Sequence, residues 1–392
     1  MKILLWGCIS SPWTVGFIQG FLLKYNYEVW VLRTGIEAEY RDFYEKKNIH
    51  IIEPPARVVT WYKDGKKGNF LKTIYMYFLQ IKAVIKEGKF DIINLHYIEL
   101  FHLFLVNILR TFMGSKVILS YWGSDLLRAA DRELHREGLF VKHADFVTFE
   151  NGDLRIKFEK TYQWSDRINT ETIFFGLPVL DIIREKQRTE TNEDIRRRWK
   201  IPDSKKILAI GHNAARQQRH LDVLSVIARL NKETKDKLFI LLQMSYGGTE
   251  EYKNKVTWAV KDTGCEYLIV DRFLTDEEVA ELRIITDLFV HAQVTDAFSG
   301  SVCENLFAET LLINARWLHY QEFNDYDFKY IEFVDFNEIS GIVERFVGEK
   351  ADVSGNWDLM WRLRAWENCA PQWEKIYRKV LSNYEKGVGD RG

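Results

Sequence analysis

The feature that most narrows the fold of this chain is a strand–helix series that runs twice. Short apolar, β-branched runs (residues 3–7; YEVWVLR, 27–33; DIINLHY, 91–97; KVILSYW, 116–122; ADFVTFE, 144–150; TIFFG, 172–176) alternate with helix-periodic stretches such as 17–23 and 99–113. Strands separated by helices pair in parallel and are covered on both faces, so they read as unbroken apolar runs. The pattern lapses in the charged stretch REKQRTETNEDIRRRWK (184–200) and then restarts. The second series is ILAIGHN (207–213), KLFILLQMS (237–245), EYLIVDRF (266–273), DLFVHAQV (287–294) and TLLINA (310–315). The expected fold class is α/β, two Rossmann-like domains facing a cleft. The expected boundaries are a first domain over 1–180, a linker over 181–204 and a second domain over 205–371. The final stretch, 357–387, reads as helix broken near Pro371, with about 372–392 packing back on the first domain.

Composition bounds the function. The 392 residues suffice for two domains, and 46 % hydrophobic with 28 % charged residues suits globular cores. A net charge of −1 argues against a nucleic-acid partner. Cys8, Cys265, Cys303 and Cys369 stand far apart without metal spacing, as expected of reduced thiols. The opening MKILLWGC reads as a first strand rather than a signal peptide. The apolar run LFHLFLVNIL, 100–109, is shorter than the roughly 20 residues a membrane span needs. The expected location is cytoplasmic, at the inner face of the cell membrane if a lipid-linked substrate is used.

Open parallel sheets bind ligands beyond the carboxyl ends of their strands. The stretch TDAFSGSVCENLFAET, 295–310, sits at such a point, between the runs ending at 294 and beginning at 310. Ser299, Gly300 and Ser301 lead into a helix whose first amides and positive dipole end suit a phosphate. Glycine permits close backbone approach, and Glu304 lies one turn in, within reach of a ribose hydroxyl. A purely structural reading accounts for part of this: Ser301 and Glu304 form a capping-box pattern. It leaves Asp296 and Ser299 unexplained.

Asp296-x7-Glu304 followed by NLFAETLLIN resembles the E-x7-E element of GT-B fold glycosyltransferases of the large retaining family-4 type. The resemblance implies that Asp296 meets the donor sugar, Ser299–Ser301 hold the diphosphate and Glu304 binds the ribose. Two positions depart from the family pattern: Asp stands for the first Glu, and Glu309 stands where the family has Gly. In IGHNAARQQRHLDVL, 210–224, the family has Gly-Arg followed by a Lys on the diphosphate. Here Gly211, His212 and Asn213 stand at the loop, and Arg219, or alternatively Arg216, falls near the Lys position. The loop in LLQMSYGGTEEYKNKV, 241–256, resembles aminosugar transferases of enterobacterial common antigen synthesis and puts Tyr246, Gly247 and Gly248 at the site. DRFLTDEEVAEL, 271–282, fits the GT-B family's segment near the nucleotide base, where backbone groups make the contact, which implies Arg272 and Phe273 at the base.

In the first half, SSPWTVGF (10–17) places Gly16 at a helix start, but it is not a dinucleotide fingerprint. SYWGSDLLR (120–128) aligns with the family's HGSD segment, with Trp122 in place of the His and Asp125 as the polar neighbour. Trp122 can stack on a sugar, and Asp125 either serves as a base or caps a helix. His96 ends a strand and either faces the cleft or is structural. The D-x-D pair Asp325 and Asp327 reads as a surface acid pair, so no metal and no cofactor are expected. The stretch 61–86 interleaves lysines with aromatics, which suits either a solvated helix face or peripheral contact with an anionic bilayer.

The function expected from these residues is transfer of a sugar from a nucleoside diphosphate sugar to a hydroxyl of a glycan or lipid-linked glycan, in bacterial surface polysaccharide synthesis. Arg219 and the turn at Ser299–Ser301 would stabilise the leaving diphosphate. Retention needs no protein nucleophile, whereas inversion would need a base, for which Asp125 is available. Two other functions suit the same fold: a nucleotide-sugar epimerase, and a degenerate module that binds a partner glycosyltransferase.

Overall fold

The computed structural model describes residues 1–32, 36–54 and 70–389. The chain divides into two compact units, Met1–Gly176 with Trp366–Gly392, and Leu177–Ala365. The first unit holds β1 (Lys2–Trp6), β2 (Glu28–Leu32), β3 (His50–Ile52), β4 (Ile92–His96), β5 (Lys116–Tyr121), β6 (Phe146–Phe149) and β7 (Asn169–Thr172). Their order is β3-β2-β1-β4-β5-β6-β7, every pair parallel. The second holds β8 (Lys206–Ile210), β9 (Leu238–Gln243), β10 (Glu266–Val270), β11 (Leu288–His291), β12 (Leu311–Ala315) and β13 (Ile331–Phe333), ordered β10-β9-β8-β11-β12-β13 and again all parallel.

Period-two alternation explains the burial. In β1, Ile3 and Leu5 enter one core and Leu4 and Trp6 the other. In β6, Phe146 faces the first core while Val147 and Phe149 face the second. In each sheet the strand order reverses beside the first strand, between β1 and β4 and between β8 and β11. Such a switch point opens a crevice at the carboxyl ends of the strands, where α/β proteins hold their ligands. At the first of these points Gly7 has φ +79°, and a Cβ there would lie 2.0 Å from the His96 carbonyl oxygen, so only glycine fits.

Residues 181–204 do not form a linker. They fold as the helices Pro178–Thr189 and Asn192–Trp199, within the second unit. Pro178 occupies the first turn of one, and Thr191 caps the other. A sparse apolar stripe, Val179, Leu180, Ile183 and Ile195, is buried, and the charges that obscured it are paired. Lys186 and Arg198 both bond Glu281, at 2.9 and 2.7 Å, and Trp199 Nε1 donates to the same carboxylate at 2.8 Å.

The C-terminal helical break falls at Ala365, which has extended ψ 136°, rather than near Pro371. Pro371 lies inside the helix Trp366–Gly389. That helix contributes Trp366, Trp373, Ile376, Tyr377 and Val380 to the first unit's core. Trp366 lies against Gly20 and Gly176, where a Cβ would come within 2.2 and 2.4 Å of its ring. The run TIFFG begins where β7 ends, and Ile173 and Phe175 are buried as core residues beyond the strand.

Candidate functional site

In the second unit the loops after β8 and β11 flank the switch point and are tied together. The Gly211 amide donates to the Val290 carbonyl at 3.2 Å, and the Val294 amide to Gln217 at 3.0 Å. Gln218 Nε2 donates to Gln293 Oε1 at 2.7 Å and lies 3.3 Å from His212 Nε2. Gly211, φ +63°, admits this packing, since a Cβ would meet His220 Nε2 at 2.8 Å.

The helix Gly300–Phe307 starts here, with Ser299 as its N-cap. The capping box expected of Ser301 and Glu304 is absent. Ser299 makes no side-chain cap bond, Ser301 is one residue inside the helix, and Glu304 turns to Arg283 at 3.0 Å. The Ser299 and Ser301 hydroxyls are buried without a partner, as are His212 Nδ1 and His291 Nδ1. The Gly300 and Ser301 amides likewise have no acceptor among the described residues. A buried polar group left unpaired costs about 1–3 kcal/mol, so this many together fits a polar ligand. The loop before the helix is strained: Phe298 is wholly buried with φ +57°.

Asp296, expected at the donor sugar, is turned into the unit, its side chain 5 % exposed. Its Oδ2 accepts from the Ser299 amide at 2.9 Å and from the Tyr320 hydroxyl at 2.8 Å, with His291 Nε2 at 3.5 Å. Burial raises the Asp296 pKa, but the His291 and Ser299 contacts outweigh it and hold the carboxyl well below its usual range. Asp296 therefore braces the loop. Glu304 is buried, which pushes its carboxyl up against the opposing charge of Arg283. Arg283 also donates to Gln243 Oε1, at the end of β9, at 3.0 Å.

Tyr246 and Phe273, 50 % and 75 % exposed, stack with centroids 6.1 Å apart at 4°. The Tyr246 carbonyl accepts the Ala214 amide at 2.7 Å, and Asn213 Oδ1 accepts the Ala215 amide at 2.9 Å. Gly247, φ +84°, turns the chain beside them. Arg272 is held by Glu278 in a two-pronged ion pair. Arg219 bonds Asp222 at 3.0 Å and lies over the Phe336 ring at 4.4 Å, so its guanidinium is committed to its own unit. Arg216 is exposed and makes no side-chain hydrogen bond or ion pair among the described residues. Burial above all, with the nearby His291, lowers the His212 pKa to about 3, so a neutral imidazole stands where the resemblance expects Arg.

The first unit's expected residues are internally engaged. His96 is fully buried, ringed by Phe17, Phe175 and Trp122, with Nε2 3.1 Å from Asn94 Oδ1. Gly16 is buried within the helix Pro12–Phe17. Asp125 accepts the amides of Ile98, Trp122 and Gly123 at 2.7–3.2 Å, which spends both oxygens on the backbone. The Trp122 indole nitrogen is buried without a partner. Asp325 and Asp327 are exposed.

Of the stretch 61–86, residues 61–69 lie outside the described residues; the helix Phe70–Lys86 exposes Ile74, Tyr75, Phe78 and Ile85. No helix among the described residues is long and apolar enough to cross a membrane.

Sequence reasoning missed Gln218, Arg283, His291, Gln293 and Tyr320, whose parts depend on partners remote in sequence. Glu309 did carry a readable signal. It adopts φ +60° just beyond the helix, the left-handed position that glycine favours. Glu309→Gly is expected to stabilise the second unit by about 1 kcal/mol, read as a higher urea midpoint; a lower midpoint would contradict the conformational argument.

Residues 2–151 match the family described as glycosyl transferase 4-like. No curated protein matches the chain in sequence. Among solved structures, a glycosyltransferase from Rickettsia africae superposes with TM-score 0.76 at 12 % identity, covering 97 % of this chain and 98 % of that one. Sucrose-phosphate synthase from Thermosynechococcus elongatus gives TM-score 0.73 at 14 % identity, over 97 % and 99 % of the two chains. Anabaena HepE, in complex with UDP and glucose, gives 0.71 at 11 % identity, over 97 % and 100 %. The chain has the GT-B fold of glycosyltransferases.

Proposed function

We propose that the protein is a glycosyltransferase that uses a nucleoside diphosphate sugar, with UDP as its first candidate nucleotide. The observation that carries this reading is the set of unsatisfied donors at the second switch point: the Ser299 and Ser301 hydroxyls and the Gly300 and Ser301 amides. They suit a diphosphate at a helix N-terminus. Tyr246 and Phe273 offer a stacking face for the base, and Glu304, with one oxygen on Arg283, offers the other to a ribose hydroxyl. Neutral donors predominate: His212 is uncharged at neutral pH, Arg219 is committed elsewhere, and Arg216 is the cation left to meet the phosphates. The HepE complexes with UDP and UDP-glucose support the choice of nucleotide.

Retention of anomeric configuration follows as part of the proposal. Both Asp125 oxygens are occupied by backbone amides, which leaves that carboxylate poorly placed as the base an inverting reaction needs. The acceptor we propose is a hydroxyl of a glycan or lipid-linked glycan in surface polysaccharide synthesis. The apolar residues on the helix Phe70–Lys86, whose only charges are Lys72, Lys82 and Lys86, support peripheral contact with the inner face of the cell membrane.

The test is calorimetric titration of UDP, GDP, dTDP and CMP. UDP is expected to bind, about tenfold more weakly to Ser301→Ala and at least 100-fold more weakly to Ser301→Asp, which sets a carboxylate against the phosphates. One observation favours a second reading, a degenerate module bound to a partner enzyme: the neutral His212 in place of a cation. Absence of any nucleotide binding to folded protein would select that reading over the first.

A further inference from the structure

We propose that the first unit carries a second ligand site, for a phosphate-bearing ligand, distinct from the candidate nucleotide site. A cavity of about 1000 Å³ opens along the helix Asp131–Val141, from Asp131 through His135 and Gly138, and is closed by the end of the helix Gly152–Thr161 and the turn Ser165–Arg167. Lys142, Lys157, Lys160 and Arg167 line it, and Asp131 is the one acid among the lining residues. None of these four cations joins an ion pair or a side-chain hydrogen bond among the described residues, whereas Arg155, on the same helix as two of them, is paired with Glu159 at 2.8 Å. Like charges gathered around a cavity repel one another, and a bound anion relieves that cost.

The cavity's place in the fold separates it from the substrate site. His143 lies just before β6 and Ile168 just before β7, so the basic end of the cavity sits at the amino ends of these strands, while its other end follows the helix back to Asp131. Substrate crevices of open parallel sheets lie at the carboxyl ends. One wall is aromatic: Tyr162 and Trp164 stack with centroids 4.9 Å apart at 26°. Gly138 lets Tyr162 close against its helix, since a Cβ there would come 2.8 Å from the ring. An aromatic wall beside several free cations suits a phosphate carried on a polyol or sugar-like body. His143 responds to the same field: partial burial, Lys142 and Arg110 lower its pKa.

A soluble polyol phosphate and the headgroup of an anionic lipid share this chemistry, and the experiment separates them. The full chain is titrated near physiological salt with inositol hexakisphosphate, and separately with phosphatidylcholine vesicles with and without phosphatidylglycerol. The expected result is saturable binding in at least one arm, weakened tenfold or more in Lys142→Ala/Lys160→Ala. Because the variant breaks no ion pair, its thermal unfolding should be unchanged; Lys157→Ala/Arg167→Ala provides a second pair should the first lose stability. Loss confined to the soluble probe assigns a soluble ligand, and loss confined to phosphatidylglycerol-dependent capture assigns a lipid headgroup. Absence of binding in both arms, or binding equal in wild type and both variants, would overturn the proposal.

Discussion

Trp373→Ala is expected to destabilise the first unit by about 3–5 kcal/mol. The indole is wholly buried and packs edge-on against Phe17 at 4.8 Å, with Phe175 at 5.3 Å. Its Nε1 donates to the Phe174 carbonyl at 2.9 Å, a hydrogen bond that truncation removes along with the packing. Set against a typical domain stability of about 5–15 kcal/mol, the loss is large. Four residues on, Tyr377 hydrogen-bonds Asn94 of β4 at 2.9 Å, so the helix reaches the centre of the sheet. Hydrogen exchange supplies the readout: protection in β1 and β4 should fall while β8, β9 and β11 keep theirs. Unchanged protection in residues 2–6 and 92–96 would show that the C-terminal helix is not part of that core.

The same helix illustrates what the sequence could and could not convey. Strand runs such as IINLH and KILAI are legible because both faces are buried, and the site loops follow because ligands gather after such strands. The return of the C-terminal helix is legible from its aromatic content, but the break at Ala365 is not, because Pro371 is the stronger local signal and Pro is tolerated in a helix held by tertiary packing. Charge density at 184–200 masks two helices for a related reason: their ion pairs use Glu281, a residue some 80 positions away. At the candidate site the Ser-Gly-Ser turn is readable, yet the inward turn of Asp296 depends on Tyr320, 24 residues later. Likewise Asp125 is fixed by the Ile98 amide, 27 residues earlier. Local patterns identify which loops matter; which way a carboxylate in them points is decided by contacts no window contains.

Acidification should weaken the second unit through two buried histidines. Burial lowers the pKa of His220 to about 4 and of His212 to about 3, while the unfolded chain titrates near 6.5. A histidine depressed in the folded state contributes stability that is complete above pH ~6.5 and lost as pH falls toward its folded value, because the unfolded chain then takes up a proton the folded one refuses. At 1.36 kcal/mol per pH unit, each costs about 2 kcal/mol between pH 6.5 and 5.0, or about 4 kcal/mol for the pair. Glu304, raised by burial against Arg283, works in the opposite sense and reduces that figure. In the first unit His96, lowered by burial to about 3, exerts the same acid penalty of about 2 kcal/mol. There, however, Glu137 is raised to about 8 by burial and by Asp125, so its folded form holds a proton that the unfolded chain has released down to pH ~4.5. That gain, about 2 kcal/mol over the same window, offsets His96 alone; burial also lowers His102 and His143 and raises Asp125, so the first unit's response is divided among more groups. Urea unfolding at pH 6.5 and 5.0, followed by exchange in the second sheet, should therefore show the second unit's midpoint falling. His220→Gln should remove at least half of the fall. No fall in the second unit, or a fall undiminished in His220→Gln, would rule out these imidazoles as its cause.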